Sequence, residues 1–459
     1  MSFRSDSISQ TARPTRGISW SGSNAVLVFI LVIMLMQNPF GFALFVFGDW
    51  YFLMYLGVIF FFIIIGPFAR GRYKSVYYTT KYLRYYFAFV FFSLVCILLN
   101  TAARMDIELI PTVRFIGRLF QFYVIYNVVR IVGVSSILRW MYRFAVVFSL
   151  LTIVFSLLNL FGMSNIFFNI APITDDHAMY YSFPYGFTEF LIPHTGNLQM
   201  SSYFTEASNY AYYLILFLVY AAFKFTESRQ VGYFVSALLF LTSIALTQSV
   251  AGYATVLILI AFVTIRTKLR SISIINSLFL LVFLTLFIWS GFFVITFLLL
   301  GEIENSFLIR RALSTELRIQ EWMMSLQEII KNPLGFGIGN VSPVADALNS
   351  ERIQGFGRGY GGPTNFLAPI YSLGIPYLLP FMFYGVVLIW CLRIKLRASN
   401  DLRMVSVMVV AGIVASASYY QMNTAVFHVT LAALLILLSQ EGKEKVIVLN
   451  PLGEQQSRQ

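Results

Sequence analysis

The chain has 459 residues, of which 58% are hydrophobic, 17% aromatic and only 11% charged. Soluble globular domains carry roughly 25% charged residues, so this composition excludes a soluble domain and indicates a polytopic membrane protein. In a soluble protein the net charge of +12 would suggest a nucleic-acid partner. In a membrane protein a positive net charge first indicates the orientation of the chain in the membrane, and we expect no nucleic-acid partner.

The chain opens with a polar arm, residues 1–23, that has no pattern of a cleavable signal peptide. Apolar runs of about 20 residues, the length that crosses a bilayer, then follow to residue 440. The predicted class is all-α, with twelve transmembrane helices in a membrane domain at 24–440 and a carboxyl-terminal tail at 441–459. The predicted spans are 24–42, 50–68, 84–102, 113–131, 142–162, 203–223, 231–248, 250–266, 274–300, 364–391, 403–419 and 422–440.

The distribution of charge predicts the orientation of these spans. With the amino terminus in the cytosol, the cytosolic segments hold 23 of the 32 Lys and Arg residues. Because cytosolic loops are enriched in Lys and Arg, both termini are predicted to be cytosolic. Two outer loops are then much longer than the others, at 162–202 and 301–363. Loops of that length are usually functional or disordered, and we expect the chemistry to lie there.

The smaller outer loop is rich in aromatic residues, among them Tyr181 and Tyr185, and it also holds His194. Aromatic rings form belts at membrane surfaces and also stack on flat partners such as sugar rings, and both interpretations stay open. Glu206 follows this loop at the start of the sixth span. It is either a favourable charge at a helix start or a group that positions an acceptor hydroxyl.

Within the fourth span, Arg114 and Arg118 lie on one helical face, and Arg118 is about a turn and a half inside the apolar run. Charges at such depth are costly and are commonly functional, although a long side chain can also reach back to the surface. His428, in the last span, is interpreted as a packing residue rather than a proton carrier.

The larger outer loop contains "ALSTELRIQEWMMSLQEIIKNPLGFGIGN", residues 312–340. Its apolar residues recur every three or four positions, which predicts an amphipathic helix that ends at Lys331 and is stopped by Pro333. This helix would lie on the outer membrane surface or cap the bundle, as a structural or a functional lid. The apolar stripe of the predicted helix is expected to face lipid and comprises Ile319, Trp322, Met323, Leu326 and Ile330.

Five arginines of this loop, in the compartment where positive charge is otherwise avoided, favour an anionic ligand that bears phosphate. They are Arg310, Arg311, Arg318, Arg352 and Arg358. Gly335, Gly337 and Gly339 would let the backbone pass close to a ligand or to another helix.

No metal site and no cofactor are predicted. The adjacent residues Asp175, Asp176 and His177 cannot all converge on one cation from so short a segment. The cysteines Cys96 and Cys391 both lie in or beside apolar runs, which excludes a disulfide framework and a cysteine-ligated metal.

The order of these features resembles the superfamily of O-antigen polymerases and ligases, including Wzy-type polysaccharide polymerases. The likeness lies in about twelve spans with a large outer loop between the ninth and tenth and a smaller one between the fifth and sixth. "YFTEASNYAYYL" resembles the family's segment that opens a span with Glu-Pro-Ser/Asn, and "LTQSVAGYATVLI" its Thr-x-Ser-Arg-x-Gly stretch, with Val250 in place of the Arg. "RIQEWMMSLQEIIKNPLGFGIGN" matches best, and "PTNFLAPIYSLGIPYLLP" is similar to the segment that re-enters the membrane.

The resemblance implies glycosyl transfer between undecaprenyl-diphosphate-linked oligosaccharides on the outer face of a bacterial inner membrane, without metal and with a chain-length regulator as a further partner. Arg310, Arg311, Arg114, Arg118, Arg352 and Arg358 would bind diphosphate, and Glu206, Glu321 and Arg318 would be catalytic. Tyr181, Tyr185, His194 and Asn365 would bind the acceptor sugar. Thr364 stands where ligases have a His, which favours a polymerase over a ligase; a flippase or other transporter is the alternative from another class.

Overall fold

A computed structural model describes the following parts of the chain. They are residues 57, 81–104, 109–161, 168–170, 179–183, 187–190, 199–200, 207–247, 249–268, 273–300, 322–338, 366–394, 398–417, 422 and 424–448.

The described chain is a helical bundle with one small sheet. Its helices, numbered in chain order, are α1 (Lys81–Arg104), α2 (Leu109–Val132), α3 (Val134–Leu160), α4 (Ala207–Ser228), α5 (Val231–Thr247), α6 (Val250–Lys268), α7 (Ile274–Leu300), α8 (322–331), α9 (Ala368–Leu373), α10 (Leu378–Arg393), α11 (Asn400–Ala415) and α12 (Ala425–Val448). A single 3₁₀ turn, Ile375–Tyr377, joins α9 to α10.

The α-helical membrane class is confirmed. By length and composition, six helices of the described chain can cross a membrane; they are in α1, α2, α3, α6, α7 and the run Ile375–Arg393. From 84–102 onward each predicted span falls on a described helix, whereas the predicted spans 24–42 and 50–68 lie outside the described residues apart from Gly57. The total of twelve spans stays a prediction.

One predicted span, 364–391, is divided rather than continuous. Its first part is the short helix α9, and Gly374 then breaks the helix with φ 83° and ψ −179°. This conformation is open essentially only to glycine, which explains why the break falls here. The helix resumes as α10 after the 3₁₀ turn.

The core of the bundle is built from α4, α11 and α12. In α12 nearly every side chain from Ala425 to Ile436 is buried, and in α4 the same holds from Asn209 to Phe217. A helix that is buried on all sides lies at the centre of a protein. By contrast, α5 and α7 leave large apolar side chains exposed, such as Phe234 and Phe283, as expected of helices that face lipid.

Consecutive long helices alternate in direction, so α1 ends at the same end of the bundle where α2 begins. We call this end, which also holds α8, α9 and the start of α12, the loop end. The predicted orientation places it on the outer face of the membrane. At the opposite end Lys224 pairs with Glu227 at 2.8 Å and with Asp401 at 3.1 Å. The hydrogen bond from Lys224 holds the pKa of the Glu227 carboxyl below its usual value.

The smaller predicted loop contains a sheet that the all-α prediction omits. Four antiparallel strands follow one another in the order β1-β2-β3-β4. Their bounds are Phe168–Ile170, Met179–Phe183, Phe187–Phe190 and Gln199–Met200. Phe and Tyr residues, which sequence analysis interprets as a belt or as sugar contacts, also favour strands, and this explains the omission.

Candidate functional site

Helix α8 ends where the sequence predicts, at Lys331. Pro333 has no N–H to donate and cannot continue the helix. Asn332 donates the last helical bond to the Glu328 carbonyl at 2.9 Å, and Gly335 then donates to the Asn332 carbonyl, which closes a tight turn. The chain therefore leaves α8 in a defined direction, toward α9 and α10.

The buried face of α8 differs from the predicted apolar stripe. Trp322 is partly buried, and its ring meets that of Phe366 edge-on at 5.1 Å. Ser325 and Ile329 are buried on the same face. The remaining described stripe residues, Met323, Leu326 and Ile330, are exposed.

The stripe prediction is thus wrong in one respect, because Trp322 faces the bundle and not lipid. The error arises because residues at i, i+3 and i+7 share a helical face, and here the buried face includes the polar Ser325, which an apolar pattern does not mark. The exposed apolar side chains leave α8 with a second face that suits the membrane surface.

The turn after α8 passes the break between α9 and α10 so closely that the two backbones are hydrogen-bonded to each other. Phe336 donates to the Tyr371 carbonyl at 3.0 Å, Gly337 to the Ser372 carbonyl at 2.9 Å, and Ile375 to the Pro333 carbonyl at 2.7 Å. The rings of Phe336 and Tyr371 stack at 4.6 Å. We call residues 333–337 together with 371–375 the backbone crossing.

Two glycines make the backbone crossing possible. A Cβ atom on Gly335 would overlap the backbone nitrogen of Gly374, and one on Gly374 would overlap the backbone of Leu334. Both glycines also have positive φ angles, 82° and 83°. The prediction that spaced glycines mark a close backbone approach is confirmed at Gly335. Its partner is another segment of the chain, and Gly339 lies outside the described residues.

A side chain from α1 completes the backbone crossing. The Asn100 amide donates to the Leu334 carbonyl at 2.6 Å and to the Ser372 carbonyl at 3.2 Å. Asn100 is 7% exposed and lies four residues before the end of α1. Sequence analysis missed this residue. The available signal is the single amide in the mainly apolar run "FFSLVCILLNTAA".

Arg118 lies on α2, close to the backbone crossing. Phe115, one turn earlier on α2, contacts the ring of Tyr377 in the 3₁₀ turn at 6.1 Å. Arg118 is partly buried, and none of the ion pairs among the described residues includes it. A guanidinium at this depth that lacks a carboxylate partner within the described chain is suited to an anionic ligand.

His428, on α12, lies within electrostatic reach of Arg118. Its ring meets Phe122 edge-on at 5.7 Å, and it is 3% exposed. Within the described part of the chain its Nδ1 atom has no hydrogen-bond partner. The packing interpretation of His428 agrees with this burial, and the ring adds a polar atom to the interior beside Arg118.

A second tight approach lies at the turn between α5 and α6, within "LTQSVAGY". Ser249 Oγ accepts a hydrogen bond from the Gly252 N–H at 3.2 Å and so caps α6, while the Ser249 N–H donates to Thr247 Oγ1 at 3.3 Å. A Cβ on Gly252 would lie 2.8 Å from that of Ala211 on α4. Thr247, Ser249 and Gly252 thus have structural roles in this turn.

Three of the predicted site residues lie in described backbone. Arg114 and Arg118 share α2 one turn apart, as predicted, and Tyr181 lies in β2, paired with Ile170 and Thr188. Helix α4 begins at Ala207, directly after Glu206. Outside the described residues lie Glu206, Tyr185, His194, Arg310, Arg311, Arg318, Glu321, Arg352, Arg358 and Asn365.

Within the described residues, no group of three or more His, Cys, Asp or Glu side chains could hold a metal ion. Asp175, Asp176 and His177 lie outside them. Comparisons of the chain with protein-family models, with curated proteins and with solved structures find no match.

Proposed function

We propose that this protein is a membrane glycosyltransferase that polymerises undecaprenyl-diphosphate-linked oligosaccharide repeat units into surface polysaccharide. The observation that carries the proposal is the position of Arg118. It is a partly buried cation near the loop end of α2, with no carboxylate partner among the described ion pairs, and α2 packs on the turn beside the backbone crossing. The resemblance to Wzy-type polymerases supplies the reaction.

In the proposed reaction an acceptor hydroxyl of one lipid-linked unit attacks the anomeric carbon of another. The bond from that carbon to the diphosphate oxygen breaks, the hydroxyl proton passes to a base, and undecaprenyl diphosphate leaves. Negative charge develops on the leaving diphosphate, and a fixed guanidinium stabilises it. Arg118 has this role in the described chain, together with the arginines of the loop 301–363. Glu206 and Glu321 are the proposed bases.

The surface of the bundle suits a substrate that is half lipid and half sugar. The exposed apolar faces of α5 and α7 give the bundle a surface that lies in lipid, and the apolar helices associate the protein with a bilayer. Helix α8 adds the exposed apolar residues Met323, Leu326 and Ile330 at the loop end. We propose that the protein lies in a bacterial inner membrane with both termini in the cytosol, so that the loop end faces outward.

A charge deletion at Arg118 tests the proposal. We expect Arg118→Ala to lower polymer synthesis by on the order of 100-fold, because one preorganised donor to the developing charge is lost. Lipid-linked single repeats should accumulate. Arg118→Lys should retain part of the activity, since it keeps the charge but not the forked geometry. The measurement is the length distribution of polymer and of lipid-linked intermediates in cells.

Arg393→Ala is the matched control, because Arg393 is an exposed arginine in the last turn of α10, at the opposite end of the bundle. It should leave polymer length unchanged. Normal polymer in cells that contain stable Arg118→Ala protein would overturn the assignment. The same assay applies to Arg318 and to Arg310 with Arg311.

The alternatives give different intermediates in a cell that lacks the protein. A flippase mutant would hold single repeats on the cytosolic leaflet, and a ligase mutant would make polymer of normal length that never reaches its final acceptor. A polymerase mutant would hold single repeats on the outer leaflet.

A further inference from the structure

The amide of Asn100 joins two segments that lie far away in the sequence. It donates one N–H to Leu334, in the turn after α8, and the other to Ser372, in the last turn of α9. We propose that Asn100 is a positioning residue that holds helix α8 against the bundle, and so fixes the position of α8 relative to α2, which carries Arg118. This inference rests on the proposed function for its effect on activity, and on the structure alone for the positioning.

The Leu334 carbonyl accepts the shorter of the two hydrogen bonds from this amide. Leu334 lies in the turn between α8 and Gly335, where the helical pattern of hydrogen bonds has ended. The Leu334 side chain is exposed, whereas its carbonyl accepts the 2.6 Å hydrogen bond from the buried amide, so this bond joins the turn to α1. Because Asn100 is itself buried, its amide depends on these two carbonyls for its hydrogen bonds.

The Ser372 carbonyl makes the connection stronger. It accepts from the Gly337 N–H at 2.9 Å as well as from Asn100 at 3.2 Å, so both of its lone pairs are used. Asn100 therefore forms hydrogen bonds with both segments of the backbone crossing. An aspartate of the same shape would lose both donors and would turn a carboxylate oxygen toward these carbonyls.

From the backbone crossing, two contacts lead to the proposed site. Trp322, at the start of α8, packs on Phe366, and Tyr377 of the 3₁₀ turn packs on Phe115, one turn from Arg118. Arg318 and Glu321 precede Trp322 in the sequence. A shift of α8 at its carboxyl-terminal end would move the residues at its amino-terminal end, because a helix moves as a rigid element. A displacement of about 1 Å can lower a rate by on the order of 100-fold.

The positioning is tested without substrate, by a spin label on α8. Gln327 is exposed on α8, and both native cysteines, Cys96 and Cys391, are buried, so a label at Gln327→Cys reports the helix. We expect Asn100→Asp to raise the mobility of the label in the full chain in lipid nanodiscs. Asn127→Asp is the matched control, since the Asn127 amide donates only within its own helix, to Tyr123 at 2.9 Å. The control should leave the spectrum unchanged.

Equal label mobility in the Asn100→Asp and Asn127→Asp proteins would overturn the proposal. If Asn100→Asp protein does not fold, Asn100→Ser retains a single donor and should give an intermediate mobility. A spectrum of Asn100→Ser identical to that of the parent would likewise overturn it.

Rate measurements separate this inference from the proposed function. In Asn100→Asp protein that elutes and melts like the control, we expect kcat to fall by on the order of 10- to 100-fold with KM changed much less, because catalytic groups are displaced. A parallel rise of KM at constant kcat would contradict a positioning role. If the parent chain forms no polymer while Asn100→Asp still loosens the label, the positioning stands and the proposed function fails.

Discussion

Two glycine-dependent close approaches lie at the loop end, and they are held in different ways. At the turn between α5 and α6, Gly252 approaches Ala211, and the turn is held by Ser249, three residues before Gly252. At the backbone crossing, Gly335 meets Gly374, and the amide that holds them comes from Asn100, 234 residues before Leu334. The first approach is stabilised locally and the second from a distance.

This difference decides what each approach can contribute to function. A locally capped turn keeps its shape whatever the neighbouring helices do, so it serves as a rigid part of the scaffold. A crossing held by a third helix couples the position of α8 to α1 and to the break before α10. The backbone crossing is thus suited to setting the geometry of a site, whereas the turn between α5 and α6 is suited to stabilising the bundle.

The largest effect should come from Gly374→Ala, which breaks the distant approach. The φ of 83° and ψ of −179° at Gly374 are open essentially only to glycine, and the added Cβ would overlap backbone atoms that cannot move aside. We expect a loss of stability of roughly 3 kcal/mol or more. The measurement is the midpoint of heat-induced unfolding in mild detergent. Gly385→Ala, in α10 with open space around it, is the control.

A smaller effect is expected for Gly252→Ala at the local approach. Its Cβ would lie 2.8 Å from the Ala211 Cβ, which is closer than real Cβ atoms approach, so α4 and α6 would have to move apart. Overpacking of this kind costs about 1 to 3 kcal/mol. The same melting assay checks it, and the paired change Ala211→Gly should restore much of the midpoint. No recovery in the double variant would show that this contact is not the cause.

The smallest effect should come from Ser249→Ala, which removes the cap and leaves the helices in contact. Loss of a helix cap costs about 1 kcal/mol. We expect a small fall in the melting midpoint and unchanged polymer synthesis. Ser249→Thr keeps an oxygen acceptor and should melt close to the parent. A large loss of activity in stable Ser249→Ala protein would give this turn a role in the site and remove the distinction between the two approaches.

Much of the bundle could be predicted from the sequence because hydropathy acts locally. The ends of α5 and α6 follow closely from two apolar runs, although only residues 248 and 249 separate them. The end of α8 at Lys331 follows from Pro333, and the close approach at Gly335 from the spacing of the glycines. Each of these depends on residues within a few positions of the feature that they determine.

The remainder depends on contacts between distant segments. Trp322 packs on Phe366, 44 residues later, and no helical pattern contains that partner. In the sequence Asn100 is a polar residue in a mainly apolar helix. Its role follows only from the two carbonyls that its amide contacts in the structure. The sheet at 168–200 is not predicted, because its aromatic residues suit both a strand and a membrane belt. The functional role of Arg118 is predicted from its depth in the apolar run alone. Its neighbour His428 belongs to a span more than 300 residues later, so the sequence does not show that the two lie together.

The central claim is that this chain forms glycosidic bonds between lipid-linked units, and proteoliposomes test it most directly. The purified full chain would be supplied with undecaprenyl-diphosphate-linked oligosaccharide, and both polymer length and released undecaprenyl diphosphate would be measured. We predict a ladder of polymers with one released lipid diphosphate per bond formed, and little of either with Arg118→Ala. Movement of the lipid-linked unit across the membrane with no bond formed would contradict the account.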